Sequence, residues 1–496
     1  MKPMRLSDIV RMTHGRLHGE DVVIDAIATD TRALLIGGRT LFVALKGERF
    51  DGHDHVAAAA QGGVAAALVS RVVDASITTG TLPQVVVADT QRALADFAAA
   101  VQRERGGVKV VGITGSNGKT SVKTLVMAIL ARAGRAYANP GNRNNEIGLP
   151  LSVLDAPEDA QFAVYEMGAG QPGDIAYLTA VARPDIALVN NIAPAHLERM
   201  GSLLGVADTK GAIYDALPDD GVAVINADDA FAPFFAERSH GHRLIRFGLE
   251  ASADVTAREI TPTDGGSKFI MATPQGEAAI DLAMPGRHNI RNALAAASIA
   301  LGLGIALDTI AAGLNAAEPV AGRLIAHRLR NGAVLIDDSY NANPGSLAAA
   351  IDTLAESSRG GEGWLVLGDM RELGADAAYM HAEMGRRAKA AGIRRLYALG
   401  PLSAEAANAF GEGASQYDNH DTLIGALNSE LLTAALQASP QRGVRVLVKG
   451  SRGSAMDKIV KAVLGGDEPR SSAASGGTCG EERPAGPRGE GNTDAA

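Results

Sequence analysis

Residues 108–133, VKVVGITGSNGKTSVKTLVMAILARA, constrain the fold of this chain more than any other stretch. The β-branched run at 108–113 predicts a buried strand, and Val122, Leu125, Val126, Ile129 and Leu130 recur at the spacing of one helix face. A glycine-rich turn lies between them. Gly112, Gly115 and Gly118 would let backbone N–H groups converge on an anion at the helix N-terminus, with Lys119 reaching the outer phosphates and the Thr120 hydroxyl holding Mg²⁺. Five residues separate Gly112 from Gly118, one more than the usual phosphate loop has. Strand, Gly-Lys-Thr and amphipathic helix still follow one another in the order the motif requires, so binding of a nucleoside triphosphate is expected.

A chain of 496 residues exceeds one ordinary core, and two or three domains are expected. Its 46% hydrophobic and 21% charged shares are those of a soluble globular protein, and no apolar run approaches the length of a membrane span. The first residues, MKPMRLSDIVRMTHG, lack the apolar core of a signal peptide, and the single cysteine, Cys479, cannot close an intramolecular disulfide. Both point to the cytoplasm, without membrane insertion. A formal net charge of −9 argues against a broad basic face for nucleic acid.

The pattern along the chain divides it into a small mixed α/β domain at 1–105, a central domain at 106–318, a further α/β domain at 319–464 and a disordered tail at 465–496. The Gly106–Gly107 pair and Pro319 mark the two inner boundaries. Strands at 162–165, 186–189 and 222–225 alternate with helices in the central domain, and strands at 334–336, 364–367, 396–399 and 446–448 do so in the next. Such alternation predicts parallel sheets, which bind ligands beyond the carboxyl ends of their strands.

Several polar clusters fall at those ends. Glu166 follows a strand and could bind Mg²⁺ directly or through water. His196, just past the next strand, could face the same phosphates. Asn142, Asn144 and Asn145 offer donors and acceptors to a substrate rich in amides and hydroxyls, and Asn289 and Asn292, three apart on a helix, suit an adenine edge. The loops at 28–32 (ATDTR) and 46–55 (KGERFDGHDH) also follow strands.

Taken together, GITGSNGKT (112–120), YEMGAG (165–170), NIAPAHLERMGS (191–202), GRHNIRNALAA (286–296), DDSYNANP (337–344) and LVKGSR (447–452) resemble the Mur ligases, over nearly all of the chain up to residue 464. The resemblance implies a three-domain α/β fold: a small N-terminal domain that binds UDP, a central P-loop ATPase-like parallel sheet and a C-terminal Rossmann-like domain. It also implies an ATP-dependent peptide ligase of bacterial cell-wall synthesis, in which a substrate carboxylate attacks ATP to form an acyl phosphate and an amine then displaces phosphate. DDSYNANP, and the lack of the DNPR motif of the diamino-acid ligases, point within the family to an enzyme joining D-alanyl-D-alanine to a UDP-N-acetylmuramoyl tripeptide; a monomer is expected, although the motifs do not bear on oligomeric state.

Carried over motif by motif, Gly115, Asn117, Gly118, Lys119 and Thr120 would bind the ATP phosphates, and Asn289, Asn292, Arg323 and Asp338 the rest of the nucleotide. Glu166 and His196 would bind magnesium with Thr120. Lys210 matches the family lysine that is carbamylated and helps place the metal, so Lys119, His196 and Lys210 form the implied catalytic set. Asp30, Thr31, Arg32 and Lys46 fall in the UDP-binding region, and Asn341, Asn343, Lys449 and Arg452 match contacts to the dipeptide or to the closing domain. Folylpolyglutamate synthase would leave the first hundred residues unexplained, and a non-ligating nucleotide switch would leave the carboxylate, histidine and lysine without a purpose.

Overall fold

The computed structural model describes residues 1–33, 39–47, 49–77, 80–194, 197–263, 265–437 and 443–467. Three α/β units follow one another, each built on its own sheet. The first sheet runs Arg16–His18, Gln84–Val86, Ala66–Val69, Thr40–Val43, Ala26–Ala28 from edge to edge, with parallel pairing except at Arg16–His18. The helix Thr90–Glu104, whose first turn is capped by the Asp89 carboxylate accepting from the Arg92 N–H, carries the chain out of this unit.

The second sheet is wholly parallel, in the order Ala136–Ala138, Phe162–Glu166, Lys109–Thr114, Ile186–Val189, Val222–Asn226, Arg243–Phe247. The strand Lys109–Thr114 is flanked by Phe162–Glu166 on one side and Ile186–Val189 on the other, so the chain reverses direction across the sheet there. That reversal opens a crevice at the carboxyl edge, and the loop 115–118 lies in it. The helix Lys119–Leu130 is held against the sheet by Val122, Leu125, Val126, Ile129 and Leu130, all fully buried. Each contributes about 1.5–3 kcal/mol over its exposed state, which fixes the helix N-terminus over the crevice.

Gly112 departs from the sequence expectation. It is a strand residue paired with Tyr165 and Ala187, and a Cβ there would come within 3.1 Å of both Ile213 Cδ1 and Pro184 Cβ. It is a packing glycine, and the phosphate loop begins at Gly115, with two residues, Ser116 and Asn117, between it and Gly118. The antiparallel meander Thr256–Pro262, Ser267–Thr273, Gly276–Leu282 was also not anticipated; it packs on the helix Leu307–Asn315.

The third sheet is ordered Ile325–Arg328, Val334–Asp338, Val444–Lys449, Glu362–Gly368, Arg395–Leu399, Ala414–Tyr417, with only the first strand antiparallel. The last described helix, Asp457–Asp467, continues past the expected limit at 464 because Ile459, Val460 and Val463 bury one face on this sheet. The remainder of the expected tail, with Cys479, lies outside the described residues. No described helix is long and apolar enough to cross a membrane.

Candidate active site

The carboxyl edges of the second and third sheets face each other across a cavity of about 1190 Å³. Its floor is the phosphate loop. Gly118 adopts φ 79° at the helix N-cap, a left-handed conformation that suits glycine. The N–H groups of Ser116 and Asn117 are committed to Asn191, at 2.9 Å to its carbonyl and 2.9 Å to its Oδ1. The donors left over at this edge are those of the first turn of the helix, whose N–H groups lack intrahelical acceptors, together with the Lys119 ammonium. Lys119 Nζ folds back on the Gly115 carbonyl at 2.8 Å, and burial holds its pKa below the usual lysine value, with Glu166 opposing and Arg323 adding to the shift.

Glu166 is the hub. The register of Ile113 with Glu166 brings the carboxylate level with the end of the loop strand. The Thr120 hydroxyl donates to its Oε2 at 3.0 Å, Asn144 Nδ2 donates to Oε1 at 2.9 Å, and Lys123 Nζ lies 3.2 Å from Oε2. Burial alone would raise the carboxyl pKa, but Lys119, Lys123 and these hydrogen bonds outweigh it and keep the group below its ordinary value. A hydroxyl and a carboxylate are the hard oxygen donors that Mg²⁺ takes. Among the described residues no group of three or more His, Cys, Asp or Glu side chains could hold a metal. The donor set thus fits an ion shared with nucleotide phosphates, which would fill the remaining positions.

The third unit closes the roof. Arg323 Nη2 donates to Thr120 Oγ1 at 3.0 Å while its guanidinium stacks 4.7 Å from the Tyr340 ring centroid. Asn343 Nδ2 donates to Asn117 Oδ1 at 2.7 Å. Asp338 and Lys449 face each other in register on neighbouring parallel strands and form a buried pair at 2.6 Å. Burial pushes the Asp338 carboxyl up, and Lys449 works against it. Lys449 Nζ also donates to the Asn341 carbonyl at 3.0 Å, so its donors are largely engaged within the protein. The exposed Arg452 side chain also lies over the Tyr340 ring, 5.7 Å from the centroid, at the cavity wall.

The asparagines divide by partner. Asn292 Nδ2 donates to Asn289 Oδ1 at 3.1 Å and Asn190 Nδ2 donates to Asn292 Oδ1 at 3.0 Å, so the two expected residues meet and share a wall of the cavity. Asn145 Oδ1 accepts from the Gly148 N–H at 2.8 Å and Asn144 holds Glu166, whereas Asn142 lines the cavity with no side-chain hydrogen bond among the described residues. Lys210, in the helix Leu203–Gly211, is 1% exposed and is not part of the cavity wall. Burial, then the charge of Lys119, pushes its pKa down to about 7.

His196 lies outside the described residues. Asp30, Thr31, Arg32 and Lys46 are not part of the cavity wall; they sit on the first unit, at the carboxyl edge of the adjacent parallel strands Ala26–Ala28 and Thr40–Val43. There Arg32 grips the Asp30 carboxylate at 2.6 Å and holds its pKa down to about 2. The sequence reading missed Lys123, Asn190, Asn191 and Tyr340. Lys123 was within reach, because it stands one helical turn beyond Lys119 on the same face.

A phosphate loop whose threonine is tied to a strand-end glutamate, roofed by an arginine and an asparagine from a second α/β unit, defines a nucleotide-dependent enzyme whose site is shared between domains. The chain belongs to the Mur ligase family. Residues 23–102 match "Mur ligase family, catalytic domain", residues 113–300 "Mur ligase middle domain" and residues 322–452 "Mur ligase, glutamate ligase domain". It is 43% identical over 464 residues to the UDP-N-acetylmuramoyl-tripeptide–D-alanyl-D-alanine ligase of Escherichia coli K12, covering 93% of this chain and 99% of that protein. The crystal structure of MurF from Acinetobacter baumannii superposes with a TM-score of 0.87 at 32% identity, covering 94% of this chain and 99% of that one. MurF of Thermotoga maritima in complex with ADP superposes with a TM-score of 0.76 at 26% identity, covering 88% and 96%.

Proposed function

We propose that this chain joins D-alanyl-D-alanine to UDP-N-acetylmuramoyl tripeptide with conversion of ATP to ADP and phosphate, giving the pentapeptide precursor of peptidoglycan, as a monomer in the cytoplasm. The observation that carries the reading is the cavity in which the phosphate loop, Glu166 and the strand ends of the third sheet converge, within a chain similar over almost its whole length to ligases of that name. In this reading residues 1–105 bind the UDP end, through Asp30, Thr31, Arg32 and Lys46. Residues 106–318 bind ATP, and residues 319–464 bring the dipeptide.

The chemistry follows from charge. A carboxylate is a poor acyl donor, so an oxygen of the tripeptide carboxylate attacks the γ-phosphorus, the bond to ADP breaks, and an acyl phosphate forms. Several negative charges must meet for this, and Lys119, turned from Gly115 onto the phosphates, with Arg323 and the helix N-terminus, offsets them. Mg²⁺, held by Thr120 and Glu166 together with the nucleotide, would neutralise charge on the phosphate oxygens. Asn289 and Asn292 border the adenine. The dipeptide amine, once deprotonated, attacks the acyl carbon and the tetrahedral adduct expels phosphate with the bridging oxygen. Of the four residues assigned to the third domain's contacts, Arg452 takes the dipeptide carboxylate in this reading, while Lys449 pairs with Asp338 and bonds to the Asn341 carbonyl, and Asn343 bonds to the phosphate loop.

The test is phosphate release with ATP and Mg²⁺ in the presence of UDP-muramoyl tripeptide and D-alanyl-D-alanine, alongside the dipeptide substrate with a diamino acid. Turnover with the first pair alone, and a pentapeptide product by mass spectrometry, supports the reading. Turnover with the second pair alone moves the chain one step earlier.

A further inference from the structure

The phosphate-loop helix carries two lysines one turn apart, and their surroundings differ. Lys119 lines the cavity, and its ammonium bonds to its own loop carbonyl. Lys123 does not line the cavity; it is 7% exposed, and its Nζ lies 3.2 Å from Glu166 Oε2, 3.0 Å from the Asn139 carbonyl and 3.2 Å from the Gly141 carbonyl. An ammonium has three protons and no acceptor capacity, so these three oxygens account for it in full. Its charge is buried and matched by one carboxylate, an arrangement that destabilises strongly when one partner is lost.

The same carboxylate is fixed from its other sides by Thr120 and Asn144, and its backbone is locked to the Asn139 side chain: the Glu166 N–H donates to Asn139 Oδ1 at 2.9 Å and Asn139 Nδ2 donates to the Glu166 carbonyl at 3.0 Å. Lys123 therefore touches both ends of one assembly, the carboxylate beside the phosphate loop and the start of the segment that carries Asn142 and Asn144 into the cavity. We propose that Lys123 is a positioning residue for the ligation reaction, an internal strut that fixes the Glu166 carboxylate and the 139–145 wall against the phosphate-loop helix without touching substrate. The inference rests on the ATP-dependent ligase reading, and failure of that reading would appear separately, as an unmutated protein that releases no phosphate.

A double-mutant cycle tests it, using Lys123→Met, Glu166→Gln and the combined variant in the full chain, with kcat, the Kd for ADP in EDTA and the melting curve measured for each. Loss of an outer residue that orients a ligand costs about 10–100-fold in activity. Lys123→Met should lower kcat by that factor while the metal-free ADP Kd changes by less than about threefold, because Lys119 and the helix N-terminus hold the phosphates. In the Glu166→Gln background the same change should cost less than about threefold, as expected for residues that act through one another. Multiplying effects, an ADP Kd that rises as far as kcat falls, or an unchanged kcat per folded molecule would each overturn the proposal. Should Lys123→Met fail to fold, the charge-balanced double variant is compared with Glu166→Gln alone: a kcat within about threefold supports the strut, and a further drop of tenfold or more overturns it.

Discussion

Asn343 Nδ2 lies 2.7 Å from Asn117 Oδ1, a hydrogen bond between residues 226 apart in sequence that ties the third unit to the phosphate loop. The same Asn343 caps the helix Pro344–Ser357, its Oδ1 accepting from the Ser346 N–H at 2.9 Å and its N–H donating to Ser346 Oγ at 3.0 Å. One side chain thus starts a helix with its oxygen and reaches the nucleotide loop with its nitrogen. Asn343→Asp separates the two roles, because aspartate caps as well as asparagine but puts an acceptor oxygen in place of the donor facing the Asn117 amide oxygen. Thermal stability should stay unchanged while ligation slows by about fivefold or more, the value of one neutral hydrogen bond. Asn343→Ala should lose about 1 kcal/mol of stability as well. Melting curves and initial rates of the two variants distinguish the roles.

Lys119→Ala should abolish ligation, by about 10²–10³-fold or more in kcat, while leaving the affinity for the UDP-peptide within about twofold. The residues expected to hold UDP lie on a different sheet from the phosphate loop. Calorimetry with the UDP-peptide alone checks the second half, and equal loss of both in a folded variant would refute the division of labour.

Gly118 meets two constraints at once. Its φ of 79° disfavours any side chain, and a Cβ there would come within 2.5 Å of Asn190 Nδ2 and of Asn292 Oδ1, atoms that bond to each other at 3.0 Å. Gly118→Ala should cost about 1–2 kcal/mol from the backbone alone and should open the Asn190–Asn292 contact beside the expected adenine site. Nucleotide affinity measured by fluorescence should fall about tenfold, the equivalent of about 1.4 kcal/mol.

Lys210 gives a pH signature. Burial, reinforced by Lys119, lowers its folded pKa to about 7 from an ordinary lysine value of 10.5. Between those values the unfolded chain binds more protons than the folded one, so the unmodified protein gains stability as pH rises from about 7 towards 10.5, by up to about 1.4 kcal/mol per pH unit. Below about pH 7 both states are protonated and the slope vanishes. Lys210→Met should flatten the rise in melts run in buffer free of carbon dioxide. The same lowered pKa leaves much of the amine neutral near pH 7, the form that adds carbon dioxide to give a carbamate and a proton. Lys210→Ala should accordingly be inactive and partly rescued by a small carboxylic acid; full activity without rescue would exclude the modified lysine.

What the chain states locally was legible. The strand, the turn and the helix face from Val122 to Leu130 follow from period and glycine placement, and Glu166 follows from its position at a strand end. What depends on pairing across the fold was not. Asp338 and Lys449 meet because strands 111 residues apart lie in register, a pairing that no local pattern around either residue announces. Gly112 read as part of the phosphate loop because a packing glycine inside a strand has the same letter as a loop glycine. In the meander at 256–282 the first strand, Thr256–Pro262, buries no residue and carries little alternation, and the alternation of Ser267–Thr273 was passed over. Lys123 could have been placed one turn beyond Lys119, but its partner, the Glu166 carboxylate 3.2 Å away, comes from another strand and only the fold supplies it.

The central claim is that the UDP-peptide carboxylate is activated by phosphorylation before the dipeptide joins it. The most direct measurement supplies UDP-muramoyl tripeptide with a heavy-oxygen-labelled terminal carboxylate, together with ATP, Mg²⁺ and D-alanyl-D-alanine, and weighs both products by mass spectrometry. Activation through an acyl phosphate requires one heavy oxygen in the released phosphate and one retained in the pentapeptide. Phosphate released without the label as the pentapeptide forms would contradict it.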